Sequence, residues 1–279
     1  MPYLIVVSLL WAFSFGLIKG LGLDGSLLAA SRLGLALLVL LPFLRLRGVS
    51  VRTGAAFVGI GAVQFGVMYL AYNESFRFLA SYETALFTLT TPIFVTLFAD
   101  ALERTVRWRA LLAAVVAFAG AALVVKKASQ PLLGIALVQL SNLAFAVGQV
   151  LYKRLRARHA TLRDRDVFAL LFFGGFAVAL AAAGARGVTI AFTPKQAWVV
   201  LYLGVLASGI GFFLWNVGAT KVSAGVLAVM NNAKIPLAVA VSLLFFGERT
   251  SVTNLTALLA SLGLMTFAVW LAEGRARYP

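Results

Sequence analysis

Long apolar runs without a charged residue alternate along the chain with short polar segments. A membrane-spanning helix needs about 20 predominantly apolar residues. Two runs, at about 25–44 and 222–247, contain one charge each, and the charge-free runs cover 1–18, 53–73, 84–99, 110–125, 128–152, 167–185, 196–220 and 250–272. The pattern therefore predicts an all-α integral membrane protein with ten transmembrane helices.

Composition excludes a soluble protein. The 279 residues are 62% hydrophobic and 12% charged, whereas soluble domains contain about 25% charged residues. The net charge of +15 comes from basic residues in the short loops, which indicates control of topology and argues against a nucleic-acid partner. With no cysteine and a single histidine, we expect no metal site and no cofactor.

The distribution of lysine and arginine predicts the orientation in the membrane. If the N-terminus is cytoplasmic, fifteen Lys and Arg lie on the inner side and seven on the outer side. Cytoplasmic loops carry the excess of positive charge. We therefore expect a multi-pass protein of a bacterial-type inner membrane, with both termini in the cytoplasm.

The two halves of the chain repeat each other. The repeated residues, offset by 143 to 145 positions, are Glu-Arg-Thr at 103–105 and 248–250, Pro92 and Pro236, and Tyr72-Asn73 and Trp215-Asn216. Five spans per copy is an odd number, so the second copy must be inverted relative to the first. The pattern predicts two inverted five-helix repeats, 1–127 and 128–279, around a central cavity.

With these repeats, the chain resembles the drug/metabolite transporter superfamily and, within it, the ten-helix EamA-type exporters. The resemblance rests on the five-plus-five spans, on a mid-helix Pro followed by Glu in each half, and on the Trp11-Ala12-Phe13-Ser14 stretch of the first span. The overall likeness is greatest to the aromatic amino-acid exporters. Lys234, just before the second proline, departs from the usual apolar or small residue.

Two charged residues within spans are candidates for substrate binding. Lys234 lies about twelve residues from either end of its span, and burying a charge there costs at least about 2.5–3.5 kcal/mol. It either binds a substrate carboxylate or is a buried lysine that is neutral or paired with a carbonyl. Arg32 lies about seven residues from the outer end of its span, so its side chain either reaches the lipid headgroups or lines a cavity.

Pro92 and Pro236 predict helix breaks. Each removes a backbone hydrogen bond and leaves a carbonyl free four residues earlier, at Thr88 and Asn232. The polar residues around both prolines favour broken helices that line a central path. The alternative is a simple kink in which threonine hydroxyls satisfy the carbonyl.

These residues together form a predicted substrate site at the membrane midplane. Lys234 and the backbone around Asn231 and Asn232 are expected to hold a carboxylate, opposite Thr88 and the aromatic side chains. The complete predicted set of binding residues is Lys234, Asn231, Asn232, Thr88, Tyr72, Trp11, Asn73 and Trp215.

The predicted function is secondary export of amino acids, aromatic ones included, and of related small amphipathic metabolites by alternating access. The partners expected are the small-molecule substrate and the lipid bilayer, with the chain a monomer or homodimer. Alternatives are export of nucleotide sugars or cationic compounds, a channel, and a membrane-embedded lipid-modifying enzyme. The enzyme is disfavoured because the chain has nine acidic residues, no Asp-rich motif and no histidine cluster.

Overall fold

The structure, a computed structural model, describes residues 2–104 and 132–219 and isolated positions between 106 and 267. These two ranges contain helices and no strand. The α-helices are α1 (Pro2–Leu21), α2 (Gly25–Leu40), α3 (Val51–Gly61), α4 (Met68–Ser75), α5 (Ser81–Phe87), α6 (Thr91–Glu103), α7 (Leu132–Arg158), α8 (Asp164–Ala185), α9 (Pro194–Leu201) and α10 (Gly211–Ala219). Two 3-10 turns, Leu41–Phe43 and Thr88–Thr90, extend or join helices. Two π-helical segments, Ala62–Val67 and Tyr202–Ile210, join α3 to α4 and α9 to α10, and we name them the first and second π-segments.

The described residues contain seven helices long and apolar enough to cross a membrane. Each coincides with one of the predicted spans, which confirms these seven predicted helices and the all-α class in this part of the chain. The other three predicted spans, at 110–125, 222–247 and 250–272, lie outside the described ranges, so the total of ten stays a prediction. The seven helices are Tyr3–Leu21, Gly25–Phe43, Val51–Ser75, Glu83–Glu103, Leu132–Arg158, Asp164–Ala185 and Pro194–Trp215.

Local sequence fixes the tight turn between α1 and α2. Gly22 adopts φ +63°, a conformation in which other residues are strained. The Asp24 carboxylate then caps α2 by accepting hydrogen bonds from the backbone N–H groups of Ser26 (2.8 Å) and Leu27 (3.2 Å). These two groups are among the orphan donors at a helix N-terminus. The turn is therefore short, and α2 begins with its first donors satisfied.

Glycines allow α3 and α8 to approach backbone to backbone. A Cβ atom at Gly61 would lie 1.9 Å from the Leu171 carbonyl oxygen, and one at Gly174 would lie 1.9 Å from the Val58 carbonyl oxygen. Close helix approach through small residues is how membrane helices gain packing energy without a hydrophobic driving force. No larger residue fits at these two positions without moving a helix.

The two π-segments pack in matching ways. In one contact, a Cβ at Gly175 of α8 would lie 2.8 Å from the Phe65 Cβ of the first π-segment. In the other, a Cβ at Gly204 of the second π-segment would lie 2.7 Å from the Leu35 Cβ of α2. Thus α8 packs on the first π-segment, and α2 packs on the second.

The loops gather at two ends of the bundle. At one end, Arg186 after α8 donates to the carboxylates of Asp24 (3.1 Å) and Glu74 (3.3 Å). At the other end, the Arg45 backbone N–H donates to the Asp166 carbonyl (2.9 Å). The alternation of spans predicts this division of the loops. The structure does not assign either end to the cytoplasm, so the predicted orientation stays a prediction.

Charge pairing perturbs both partners of the Asp24–Arg186 pair. Burial by itself raises the pKa of the Asp24 carboxyl, but hydrogen bonds from Ser26, Leu27 and Arg186 outweigh it and lower the pKa. The hydrogen bonds to Asp24 and then Glu74 raise the pKa of the Arg186 guanidinium. Glu74 is paired with both Arg77 and Arg186.

Candidate functional site

A cavity of about 100 Å³ lies between helices from both predicted halves of the chain. Its wall combines aromatic rings, hydroxyl groups, one amide and one guanidinium, all contributed by α1, α2, α4, α6, α7, α10 and the 3-10 turn before α6. The described lining residues are Trp11, Ser14, Phe15, Arg32, Met68, Tyr69, Tyr72, Thr88, Thr91, Ser141, Asn142, Phe145 and Phe212. A mostly apolar pocket with a few convergent polar groups is typical of a small-molecule site.

Arg32 brings a charge to the cavity from the middle of α2. Its side chain is only 3% exposed. Its Nε donates to the Ser208 hydroxyl (3.3 Å) and its Nη2 to the Tyr69 hydroxyl (3.3 Å). The sequence left a choice between headgroup contact and cavity lining for Arg32. The structure places the side chain on the cavity wall, buried among protein groups.

Hydrogen-bond directions around Arg32 follow from the donors available. Ser208 donates its single proton to the Leu203 carbonyl (2.7 Å), so the Tyr69 hydroxyl must donate to Ser208 across the 2.8 Å that separates their oxygens. Both hydroxyl oxygens can then accept from the guanidinium. The Tyr69 ring also lies under the guanidinium, with Cζ 4.4 Å from the ring centroid.

Part of the guanidinium remains unpaired. Arg32 Nη1 has no hydrogen-bond partner among the described residues, although a guanidinium carries five N–H donors in a planar fork. Buried polar groups in proteins are nearly always hydrogen-bonded. The unpaired edge is thus an available donor for an anion inside a largely apolar cavity.

A second polar wall surrounds the break before α6. The Asn142 amide donates to the Phe87 carbonyl (2.8 Å), and its side-chain oxygen lies 3.0 Å from the Thr91 hydroxyl, whose single proton goes to a nearer carbonyl. Thr91 lies 2.7 Å from the Thr88 carbonyl, the one that Pro92 leaves free. The span Glu83–Glu103 continues through this point, with the 3-10 turn Thr88–Thr90 beside the cavity. Its free carbonyls are satisfied from within the protein, as in the threonine-repaired alternative.

Trp11 connects the cavity to the second π-segment. Its indole N–H donates to the Ala207 carbonyl (2.9 Å). Its ring packs on Phe212 and on Trp215, with centroids 5.0 Å and 5.1 Å apart. Trp11 thus lines the cavity with its ring, while its polar atom is bound to backbone.

The predicted binding residues fall into three groups. Trp11, Tyr72 and Thr88 line the cavity. Asn73 and Trp215 are buried but are not among the described lining residues, since Asn73 donates to the Gly25 carbonyl (3.2 Å) and Trp215 packs behind Trp11. The others lie outside the described residues: Lys234, Asn231, Asn232 and the second break at Pro236. Their roles stay predictions.

Several residues of the site could not be identified from the sequence. Ser208, which accepts from Arg32 behind the cavity wall, stands in a run of small residues, Ala207-Ser208-Gly209, in which nothing marks a partner for a charge. Phe145 and Phe212 are two of 22 phenylalanines. One signal was available for Arg32. Because Asp24 is a strong N-cap residue, α2 begins at residue 25 and Arg32 comes two turns into the helix, too deep to reach its end.

The described wall of the cavity carries groups that are suited to binding a small molecule. Among the described residues no group of histidine, cysteine or acidic side chains could hold a metal ion. The described wall also contains no carboxylate or imidazole that could transfer protons. These groups can bind an anion, stack on an apolar body and donate or accept hydrogen bonds.

Comparison with known proteins finds relatives that match nearly the whole length of this chain. A biotin transporter of Salmonella typhimurium (strain LT2) is 38% identical over 275 residues, covering 94% of this chain and 91% of that protein. The biotin transporter of Escherichia coli (strain K12) is 38% identical over 274 residues, with the same coverage. A probable biotin transporter of Pseudomonas aeruginosa is 40% identical over 263 residues, covering 91% and 92%.

A solved crystal structure has the same fold, with a TM-score of 0.68 over 99% of this chain and 98% of that chain, at 19% identity. The names of the relatives do not support the narrower likeness to aromatic amino-acid exporters. The broader resemblance is confirmed, because the model of the EamA-like transporter family matches residues 1–126 and 132–270. The chain therefore belongs to the EamA-like transporter family, a family of membrane transporters and not of enzymes.

Proposed function

We propose that this chain is a secondary transporter of biotin that binds its cargo in the central cavity. The proposal is supported by relatives named biotin transporters, which are 38% and 40% identical over more than nine-tenths of both chains. It replaces the amino-acid substrate inferred from the sequence. Small-metabolite transport itself follows from the family.

The observation that carries the proposal is the combination of chemical groups that line the cavity. Biotin joins a polar ureido ring to an apolar chain that ends in a carboxylate. The cavity offers the Arg32 guanidinium on one wall, hydroxyl and amide groups of Thr91 and Asn142 on another, and the rings of Trp11 and Phe212 as apolar surface. Each part of biotin thus has a chemical counterpart.

An amino acid fits the described wall less well. Its ammonium group lies next to its carboxylate and is best neutralised by an acidic partner close to the cation that holds the carboxylate. None of the described lining residues is acidic. The loop carboxylates Asp24 and Glu74 are paired with Arg186 at one end of the bundle.

The test is counterflow of radiolabelled biotin in proteoliposomes that contain the purified full-length chain. We expect liposomes preloaded with unlabelled biotin to accumulate the label transiently, and protein-free liposomes not to do so. Unlabelled biotin should compete, and phenylalanine or tryptophan should not. Accumulation of labelled phenylalanine without accumulation of biotin would refute the proposal and restore the amino-acid hypothesis.

The architecture belongs to the same proposal. We infer that 1–127 and 128–279 are inverted repeats that rock around the cavity and expose it alternately to each side. The matching contacts support this: α8 packs on the first π-segment as α2 packs on the second. Export, cytoplasmic termini and a monomer or homodimer stay predictions. Counterflow detects transport whichever way the protein is inserted.

A further inference from the structure

We propose that Arg32 is the residue that binds the negatively charged group of the cargo, through the unpaired Nη1 edge of its guanidinium. The inference rests on the proposed function and specifies which part of the substrate class is recognised. It assigns the cavity to monoanionic carboxylates with an apolar body, of which biotin is one. Tyr69 and Ser208 act as positioning residues.

Burial of the charge is the first step. Arg32 is 3% exposed and lies midway along α2, so its charge is shielded from water and from the headgroups. Ionisable residues inside a membrane protein are rare, and they usually mark a substrate or ion pathway. A charge so placed needs an opposite charge or a set of hydrogen bonds.

The described residues supply only part of the hydrogen bonds that the Arg32 guanidinium can make. Two of the five guanidinium N–H donors have partners, the hydroxyl oxygens of Ser208 and Tyr69, which are neutral. Nη1 is buried and has none among the described residues, which also offer Arg32 no ion pair. A carboxylate is the acceptor that matches the two parallel donors on one edge of a guanidinium.

The remaining contacts hold the guanidinium in one orientation. Tyr69 covers one face at 4.4 Å and bonds to Nη2, while Ser208 bonds to Nε and is itself fixed by the Leu203 carbonyl. Arg32, Tyr69 and Ser208 come from three different spans. A donor fixed in this way loses little entropy when a ligand binds, which favours affinity and selectivity.

The competing explanation is structural. In that case Arg32 only links α2 to α4 and the second π-segment, and the cargo never contacts its charge. Both explanations predict that loss of Arg32 lowers the stability of the protein. Only the binding explanation predicts a preference for anionic over neutral cargo that depends on Arg32, so the test compares biotin with biotinamide, in which a neutral carboxamide replaces the carboxylate.

The experiment measures equilibrium binding of biotin and biotinamide to the full-length chain in lipid nanodiscs. For the unmodified protein we expect biotin to bind at least about 10-fold more tightly, because a hydrogen bond to a charged group is worth more than one to a neutral group. Arg32→Gln should lower the affinity for biotin by about 10-fold or more and the affinity for biotinamide by less than about 2-fold. Arg32→Lys should keep part of the preference, since it keeps the charge but not the fork.

One variant serves as a control, and another tests the positioning of Arg32. Arg47→Gln removes a positive charge from an exposed loop position and should leave both affinities unchanged. Tyr69→Phe keeps the ring under the guanidinium and removes the hydroxyl. It should therefore lower the affinity for biotin by about 3- to 10-fold, with a smaller effect on the affinity for biotinamide.

The outcomes separate the two proposals. If the unmodified protein binds biotin and biotinamide equally well, the Arg32 assignment is overturned whether or not any variant folds, and the proposed function stands. The assignment is also overturned if folded Arg32→Gln keeps the full preference for biotin. If the unmodified protein binds neither compound, the proposed function fails, and the assignment fails with it.

Discussion

Adding one methyl group at Gly174 should open the closest helix contact in the described protein, whereas the same change ten residues later should do no harm. The Cβ of Gly174→Ala would lie 1.9 Å from the Val58 carbonyl oxygen, and ordinary contact begins at 3.4 Å. The two backbones must therefore separate by about 1.5 Å. A rotamer change cannot relieve the clash, because the obstructing atom belongs to a helix backbone.

The expected cost follows from this geometry. Overpacking a well-packed interior costs about 1–3 kcal/mol and occasionally more, and a clash with backbone belongs at the upper end, about 3 kcal/mol. For a protein of this size that corresponds to a fall in Tm of about 6–12 °C. At Gly184, also in α8, nothing lies within 4 Å of an added Cβ. There alanine should be neutral or stabilise the helix by about 0.5–1 kcal/mol.

The assay is thermal unfolding of the purified variants in one detergent, followed by tryptophan fluorescence or by loss of monodisperse protein. Gly59→Ala is a second control, on α3, where nothing lies within 4 Å of the added atom. We expect Gly174→Ala to melt well below the parent and both controls to melt at or above it. Equal melting temperatures for Gly174→Ala and Gly184→Ala would refute the close approach of α3 and α8.

Two further predictions concern polar contacts. Asn142→Leu removes the amide that donates to the Phe87 carbonyl (2.8 Å) and should lower the free energy of unfolding by about 1–3 kcal/mol. Gln139→Leu loses a longer bond to the same carbonyl (3.4 Å) and a 2.7 Å bond from the Thr90 hydroxyl, but Gln139 is only half-buried. It should therefore cost less in the same melting assay, and the reverse order would show that the buried Asn142 amide is not the stronger contact. Because the pKa of Asp24 is lowered in the folded protein, the stability contributed by its ionised form is complete above its unfolded pKa of about 3.9 and is lost as the pH falls through the lower folded pKa. Asp24→Asn should therefore flatten the acid side of a Tm–pH profile, and an unchanged profile would show that the cap does not contribute.

The spans could be predicted because a helix that crosses the bilayer must be apolar over a continuous stretch of sequence. All seven predicted spans within the described residues are helices at the expected places. A local change of helix geometry before α6 was also predictable, since Pro92 cannot donate a hydrogen bond whatever surrounds it, and the structure has a 3-10 turn there. These properties belong to short stretches of sequence and need no knowledge of which helices are neighbours.

The cavity was harder to predict because it depends on which helix faces meet. Arg32 could be found in the sequence, but its partners Tyr69 and Ser208 are 37 and 176 residues away. The π-segments change which side chains face inward, and their positions cannot be predicted from the composition of the sequence. Asn73, predicted as a binding residue because it is polar and lies within a span, donates to the Gly25 carbonyl of a neighbouring helix, a contact that the sequence does not indicate.

The first π-segment also changes the phase of the span that contains it. An α-helix turns by about 100° per residue, and a π-helical segment accommodates an additional residue. The span therefore directs Val58 and Gly61 towards α8 before the segment, and Tyr69 towards Arg32 after it. Deleting a single residue within Ala62–Val67 would restore a regular helix and rotate Tyr69 away from the guanidinium. A change in chain length there would therefore alter the lining of the cavity without any substitution of a lining residue.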